Sequence, residues 1–237
     1  MPFLCYISVA LAAYLPGSIP FGYLAAKAKG IDIRSVGSGN IGATNAMRVL
    51  GKPAGIAVLL LDVLKGFAAV AWITPAIYNW IEPHYFGLAP GFAAAAVAVQ
   101  MKFKVIAGVC AVLGHNYTCW LKFKGGKGIA TTAGVYLALA PWALLVALVV
   151  FIVALLASRI VSVASMSAAV ALPGTVWIMS PHNIFLGIVT TALGALAIYK
   201  HKSNIQRLMA GTENRFGNKP VGQASSLPGT KNPEEKK

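Results

Sequence analysis

Seven apolar windows, at 1–26, 54–81, 86–101, 105–119, 128–157, 160–179 and 183–199, constrain this chain more than any other feature. A helix crossing a bilayer needs about 20 predominantly apolar residues. Several of the windows reach that length, so several helices cross. Charged residues make up 11% of the 237, against roughly a quarter in a soluble domain. The fold class is therefore all-α: a polytopic membrane protein. The first window has no basic start and no small-residue cleavage site, and its GSIPFG interior reads as a kink within a retained span.

Lys and Arg outnumber Asp and Glu 20 to 6, a balance that points to nucleic acid in a soluble chain. Location points elsewhere. Segments 27–52, 102–127 and 200–237 hold 18 of the 20 basic residues, so the charge falls between apolar windows, in the pattern that orients loops toward the cytoplasm. No aromatic-basic module accompanies it, and no nucleic-acid partner is expected. Cys5, Cys110 and Cys119 lie in or beside apolar windows without CxxC spacing, which speaks against a disulfide framework or a zinc site.

If all three basic segments face the cytoplasm, an even number of crossings separates each pair. Window 54–81 goes out and one crossing within 86–119 returns. Residues 128–199 then hold four crossings once the run 128–157 is divided at Pro141, which removes a helix amide donor. The expectation is about seven transmembrane helices, with the N-terminus outside and the C-terminus cytoplasmic. The halves divided at Pro141 are short for a bilayer, which is tolerated where neighbouring helices shelter the backbone. Residues 86–101 read either as a re-entrant or peripheral outer helix or as part of the return span. Residues 1–216 form one domain, and 217–237, rich in Gly, Pro, Ser and Lys, read as a disordered polar tail.

Three clusters carry chemistry. The first, Gly37 to Arg48, combines glycines that turn backbone amides toward a ligand with Ser38, Asn40, Thr44 and Asn45, and its arginine offers a planar fork for phosphate oxygens. An ordinary helix start capped by Ser38 or Asn40 is the plain alternative. The second, Gly114-His115-Asn116-Tyr117 and then Lys122 to Gly128, sets a glycine-rich turn and Lys127 directly before an apolar run, where free amides and the helix dipole favour an anion. It is not a Walker A loop, because Gly128 stands where Ser or Thr is required. His115 and Cys119 are four apart but have no third ligand near, so no metal is expected; a capping or core histidine is the plain alternative. The third, His201 to Asn214, puts His201 and Asn204 on one helical face with Arg207 or Leu208, or else is a basic helix resting on anionic lipid. Glu213 is available to pair with a loop arginine. Asp62 and Lys65, three apart in the second span, read as an internal ion pair, and Arg159 falls on the cytoplasmic side.

The blocks SGNIGATNAMR at 38–48, DVLKG at 62–66, GHNY with KFKGGKGIAT within 114–131, SRIVSVAS at 158–165 and HKSNIQRLMAGTEN at 201–214 follow one another in an order that resembles the bacterial acyl-phosphate-dependent glycerol-3-phosphate acyltransferases, the PlsY family. The likeness runs from about residue 5 to 216 and departs around 80–103 and after 217. It implies a seven-helix inner-membrane enzyme that moves a fatty acyl group from acyl phosphate to the 1-hydroxyl of glycerol 3-phosphate, giving lysophosphatidate and phosphate. Neither coenzyme A nor acyl carrier protein is then the direct donor, no cofactor is needed, and an upstream enzyme forms the acyl phosphate. By that pattern Ser38, Lys127, His201 and Asn204 belong to catalysis. Gly39, Asn40, Gly42, Thr44, Asn45, Arg48, His115, Gly125, Gly126, Gly128, Arg159, Arg207 and Glu213 bind substrate or phosphate.

Acyl phosphate is already activated, so the remaining tasks are positioning, hydroxyl deprotonation and oxyanion stabilisation. The leaving phosphate is expected to accept the proton, with His201 the alternative base. A transporter would want ionisable groups at the midplane and repeated halves. A lipid-binding assembly protein has no use for the hydroxyl and amide groups of the first cluster.

Overall fold

Pro141 interrupts the longest apolar run and the helix before it stops there, whereas Pro173 is carried inside a continuous helix. The structure, a computed structural model, describes residues 2–85 and 93–216. The expected tail at 217–237 and the stretch 86–92 lie outside the described residues. Among the described residues eleven α-helices follow in order: α1 Pro2–Gly17, α2 Phe21–Lys27, α3 Ala43–Leu50, α4 Lys52–Ala68, α5 Thr74–Tyr85, α6 Ala93–Asn116, α7 Ile129–Leu139, α8 Pro141–Ser158, α9 Val161–Met179, α10 Ile184–Lys200 and α11 Lys202–Met209. A π-helical turn at Ala69–Ile73 joins α4 to α5, and Thr74 Oγ1 donates to Ala69 O at 2.7 Å across it. Five stretches among the described residues are long and apolar enough to cross a membrane, and a sixth follows if α10 and α11, bent by 52°, count as one.

The break between α1 and α2 is satisfied by protein rather than lipid, as a water-free interior demands. Between α1 and α2, Ser18 O accepts from Thr118 Oγ1 at 2.6 Å and Ser18 Oγ accepts from Trp120 Nε1 at 2.9 Å. At Pro141 the long apolar run divides into α7 and α8. The 11 residues of α7 extend only about 17 Å at 1.5 Å per residue. The helix is short for a bilayer and is packed chiefly against α4. An added Cβ on Gly66 or Gly134 would overlap Thr131 O or Val63 O, so the two backbones nearly touch, the small-residue contact that holds helices together in lipid. Helix α1 packs on α6, α8 on α9, and α9 on α10. Val70, Val135, Tyr136, Leu172 and Leu186 fill the main core. Leu11, Leu60, Trp72, Leu156 and Ile178 face outward, a belt suited to lipid.

Helix α6 decides one open part of the sequence reading and corrects another. Residues 93–101 continue into the return span, which excludes the peripheral-helix alternative for them. Lys102 and Lys104 are therefore inside a continuous helix rather than in the loop bearing Lys122, Lys124 and Lys127. They lie 13 and 11 residues before His115, roughly 17–20 Å along the axis. The short charged stretch at 102–104 reads from sequence as a boundary between two apolar windows, whereas a continuous helix carries its two lysines.

Candidate active site

The first cluster folds around one buried amide. Asn45, in the first turn of α3 and 1% exposed, accepts from Ser38 N at 2.8 Å, and its Nδ2 donates to the carbonyls of Asn40, Val36 and Ile33 at 2.9, 3.1 and 3.2 Å. Asn40 Oδ1 in turn accepts from Gly42 N at 2.8 Å, and Gly42 is the N-cap of α3. Local capping thus accounts for the Asn40 side chain, while Ser38 Oγ, Thr44 Oγ1 and the Arg48 guanidinium stay available in a half-buried rim. Burial weakens the hold of Arg48 on its proton, Glu213 opposing and Arg207 reinforcing the shift.

The second cluster is a turn folded onto the end of α6. Gly126 N donates to His115 O at 3.0 Å and Gly125 N to Asn116 O at 3.2 Å. Gly128 has φ +78°, a left-handed conformation that brings the chain sharply into α7. The first amides of α7 have no intrahelical acceptor and gather at this point, beside the half-buried Lys127.

Glu213 ties the third cluster to the second. Its side chain, 4% exposed, accepts from Asn204 Nδ2 at 2.7 Å and Ser162 Oγ at 3.1 Å on one oxygen, and from Arg207 Nε at 2.7 Å on the other. Burial alone would raise its proton affinity, but these donors win and the carboxyl is held below its ordinary range. The other side of the Asn204 amide, Oδ1, accepts from Lys127 Nζ. Burial lowers the Lys127 ammonium to about 8, with Glu213 opposing and Arg207 and Arg48 adding to the shift. His201, at the bend between α10 and α11 and 2% exposed, has Nδ1 2.7 Å from Ala197 O. A carbonyl only accepts, so Nδ1 carries the proton and the neutral ring keeps Nε2 as its acceptor.

Ser38, Asn40, Gly42, Thr44, Asn45, Arg48, His115, Lys127, Gly128, His201, Asn204 and Glu213 all line one cleft of about 800 Å³. The cleft opens into a groove of about 1220 Å³ walled by Leu60, Val63, Leu144, Leu148, Leu172 and Leu193. Leu59, Ile129, Ala130, Phe151 and Ser165 belong to both, so the polar and apolar spaces are continuous.

The glycerol-3-phosphate acyltransferase family model matches residues 7–211. A glycerol-3-phosphate acyltransferase of Geotalea daltonii is 41% identical over 89% of this chain and 97% of its own. Those of Thermosynechococcus vestitus and Geobacter metallireducens are 45% and 46% identical, covering 88% and 86% of this chain and 94% of each relative. The chain belongs to the glycerol-3-phosphate acyltransferase family. Two solved structures of PlsY, an integral membrane glycerol 3-phosphate acyltransferase, share its fold. The glycerol 3-phosphate form has a TM-score of 0.73 at 39% identity, covering 90% of this chain and 96% of that one. The lysophosphatidic acid form has a TM-score of 0.71 at 37% identity, covering 90% and 95%. This acyltransferase is accordingly a multi-pass membrane protein.

Five of the residues singled out from sequence do not line the cleft of this family member: Gly39, Gly125, Gly126, Arg159 and Arg207. Gly125 and Gly126 support the turn from behind, and Arg207 braces Glu213. Arg159 ends α8 in a left-handed conformation with its side chain exposed, and its carbonyl accepts from Phe216 N at 2.5 Å, fastening the segment after α11. Sequence reasoning assigned no site role to Asp62, Ser162 or Ser165, which also line the cleft. The two serines stand three apart in the first turns of α9, on one helical face, and that spacing was the available signal.

Proposed function

We propose that this acyltransferase joins a fatty acyl group, carried as acyl phosphate, to the 1-hydroxyl of sn-glycerol 3-phosphate, giving lysophosphatidic acid and inorganic phosphate. The continuity of a cationic cleft with an apolar groove carries this reading: phosphate groups fit the cleft with Arg48 and Lys127, and the acyl chain fits the groove. The glycerol 3-phosphate and lysophosphatidic acid forms of PlsY support the acceptor and the product. Acyl phosphate as donor follows from the resemblance of the motif blocks. So do seven spans in the inner membrane, while the basic segments between apolar windows support an outside N-terminus and a C-terminus and cleft facing the cytoplasm. An upstream enzyme that forms acyl phosphate would supply the substrate.

In the proposed step the glycerol 3-phosphate hydroxyl oxygen attacks the acyl carbonyl carbon. A carbon–oxygen ester bond forms, the bond from that carbon to the phosphate oxygen breaks, and the departing phosphate takes the hydroxyl proton. Lys127, Arg48 and the first amides of α7 hold phosphate oxygens, and Ser38 and Asn204 stabilise the developing oxyanion. Two unit charges about 4 Å apart attract by about 4 kcal/mol at an effective dielectric of about 20, so cations that close decide affinity. His201, with Nε2 as acceptor, orients the hydroxyl. Asn45 shapes the loop that presents Ser38.

Purified full-length protein given long-chain acyl phosphate and labelled glycerol 3-phosphate is expected to release one phosphate for each labelled lysophosphatidic acid. Equal turnover with acyl coenzyme A in place of acyl phosphate would refute the donor assignment. Uptake into vesicles without labelled lipid would refute the reaction. Filling the groove with Ala169→Trp should depress kcat/KM for long acyl phosphates and spare short ones.

A further inference from the structure

The groove beside the cleft has a far end, and four helices build it. Where groove and cleft meet, the wall carries Phe151 on α8 and Ser165 on α9, and Ala197 of α10 stands one turn before His201. Short turns join α8 to α9 and α9 to α10, and each pair packs side by side, so the three helices alternate in direction. The groove residues farthest from the cleft on these helices are Leu144, Leu172 and Thr190, each seven positions from Phe151, Ser165 and Ala197 respectively. The steps run backward, forward and backward along the chain, as the alternation requires. Seven helical residues rise about 10.5 Å, so the three side chains reach one level. That depth is roughly two-thirds of the ~15 Å that the hydrocarbon of one leaflet occupies.

This level is closed from behind. Tyr136 lies one turn past the groove residue Ala133 on α7, is buried, and donates from Oη to Thr190 Oγ1 at 2.6 Å. Thr190 Oγ1 in turn donates to Leu186 O at 2.6 Å, which commits its single proton. Leu172 shares one packed core with Tyr136, Val176 and Leu186. Between the cleft and this floor the walls are small, with Ala147, Ala168, Ala169 and Gly194 lining the space. Leu60 and Leu148, 61% and 48% exposed, leave the flank of the groove open to lipid.

Lipid tails are as apolar as a leucine wall, so burial by itself favours no chain length once the acyl group starts from a bilayer. Fit does. A chain that stops short leaves space unfilled, and each methyl-sized void costs about fivefold in affinity. A chain that is too long must bend at the floor toward the open flank. We infer that Leu172, together with Thr190 held by Tyr136, is the specificity-determining floor that sets the preferred acyl-chain length, favouring the chain that just reaches it. The inference rests on the reading of the groove as the acyl site.

Acyl phosphates of graded length, mixed at equal mole fraction in vesicles carrying the full-length protein, compete for labelled glycerol 3-phosphate, and mass spectrometry of the lysophosphatidic acids reads the preference. The wild-type distribution should peak at one length and fall about fivefold for each of the first methylenes removed. Leu172→Ala should move the peak about two methylenes longer, and Leu172→Phe should move it shorter. A flat wild-type distribution, or a peak that stays in place in both folded variants, would overturn the inference. A second arm needs no turnover. With Cys5, Cys110 and Cys119 replaced by Ala, Leu172→Cys carries the only thiol of the chain. Straight-chain alkylphosphonates from butyl to hexadecyl should protect that thiol from a methanethiosulfonate only beyond a threshold length. Protection by the shortest homologues, or by none, would refute the floor. A clear threshold in a protein that transfers no acyl group would uphold the floor and sink the functional reading alone.

Discussion

Raising the pH should switch off Lys127 before any other cation in the cleft. Burial brings its ammonium down to about 8, against the pull of Glu213 and with the help of Arg207 and Arg48. The charged fraction in the empty enzyme is then about nine-tenths at pH 7, one-half at pH 8 and one-tenth at pH 9. A cation loses its charge as pH rises, so kcat/KM should fall about tenfold per unit above pH 8, since this ratio reports free enzyme and free substrate. The phosphate of glycerol 3-phosphate gains its second charge near pH 6, which adds a rising limb and yields a bell. In the profile of kcat, where bound phosphate dianion favours the ammonium, the descending limb should lie at higher pH. Initial rates of labelled lipid formation, corrected for hydrolysis of acyl phosphate, give both profiles. Lys127→Arg supplies a group that stays charged throughout, so its descending limb should vanish whatever its absolute rate. A limb that persists near pH 8 in Lys127→Arg would refute the assignment of Lys127 as the titrating phosphate ligand.

Arg48→Lys keeps the charge but loses the two-pronged fork, and kcat/KM for glycerol 3-phosphate should fall about 10- to 100-fold; a change under threefold would remove Arg48 from the phosphate site. Gly126→Ala drives a methyl group into His115 Nε2, and steady-state kinetics should show KM for glycerol 3-phosphate raised at least about tenfold, because the turn shifts by more than hydrogen bonding tolerates. Glu213→Ala leaves Asn204, Ser162 and Arg207 without their shared acceptor; unfolding in detergent should start roughly 4–8 °C lower, for about 2 kcal/mol lost, and activity should drop with it.

How the site assembles was only partly legible in the chain. The three clusters were visible because Gly, Ser, Asn and Lys are rare in apolar sequence and stand out between windows. Their division of labour was not. Asn45 looks from sequence like a ligand, yet its amide is committed to four loop partners. Arg207 and Glu213 carry opposite charges six residues apart, and only the turn at Gly211 shows that they pair at 2.7 Å. Asp62 and Lys65 read as a pair at helical spacing, but the contact with His115, 50 residues from Lys65, depends on α4 and α6 lying side by side.

The sequence by itself determined that this protein lives in a bilayer, that its helices break at residues such as Pro141, and which turns carry polar chemistry. These follow from local quantities: the length of an apolar run, the missing amide of proline, the backbone freedom of glycine. The tertiary structure decided which polar groups meet and which merely brace the chain, that Lys102 and Lys104 lie far from the cleft, and that an apolar groove opens beside the cations. Those depend on how closely glycines let neighbouring helices approach, which is a property of two surfaces in contact and is written in neither one alone.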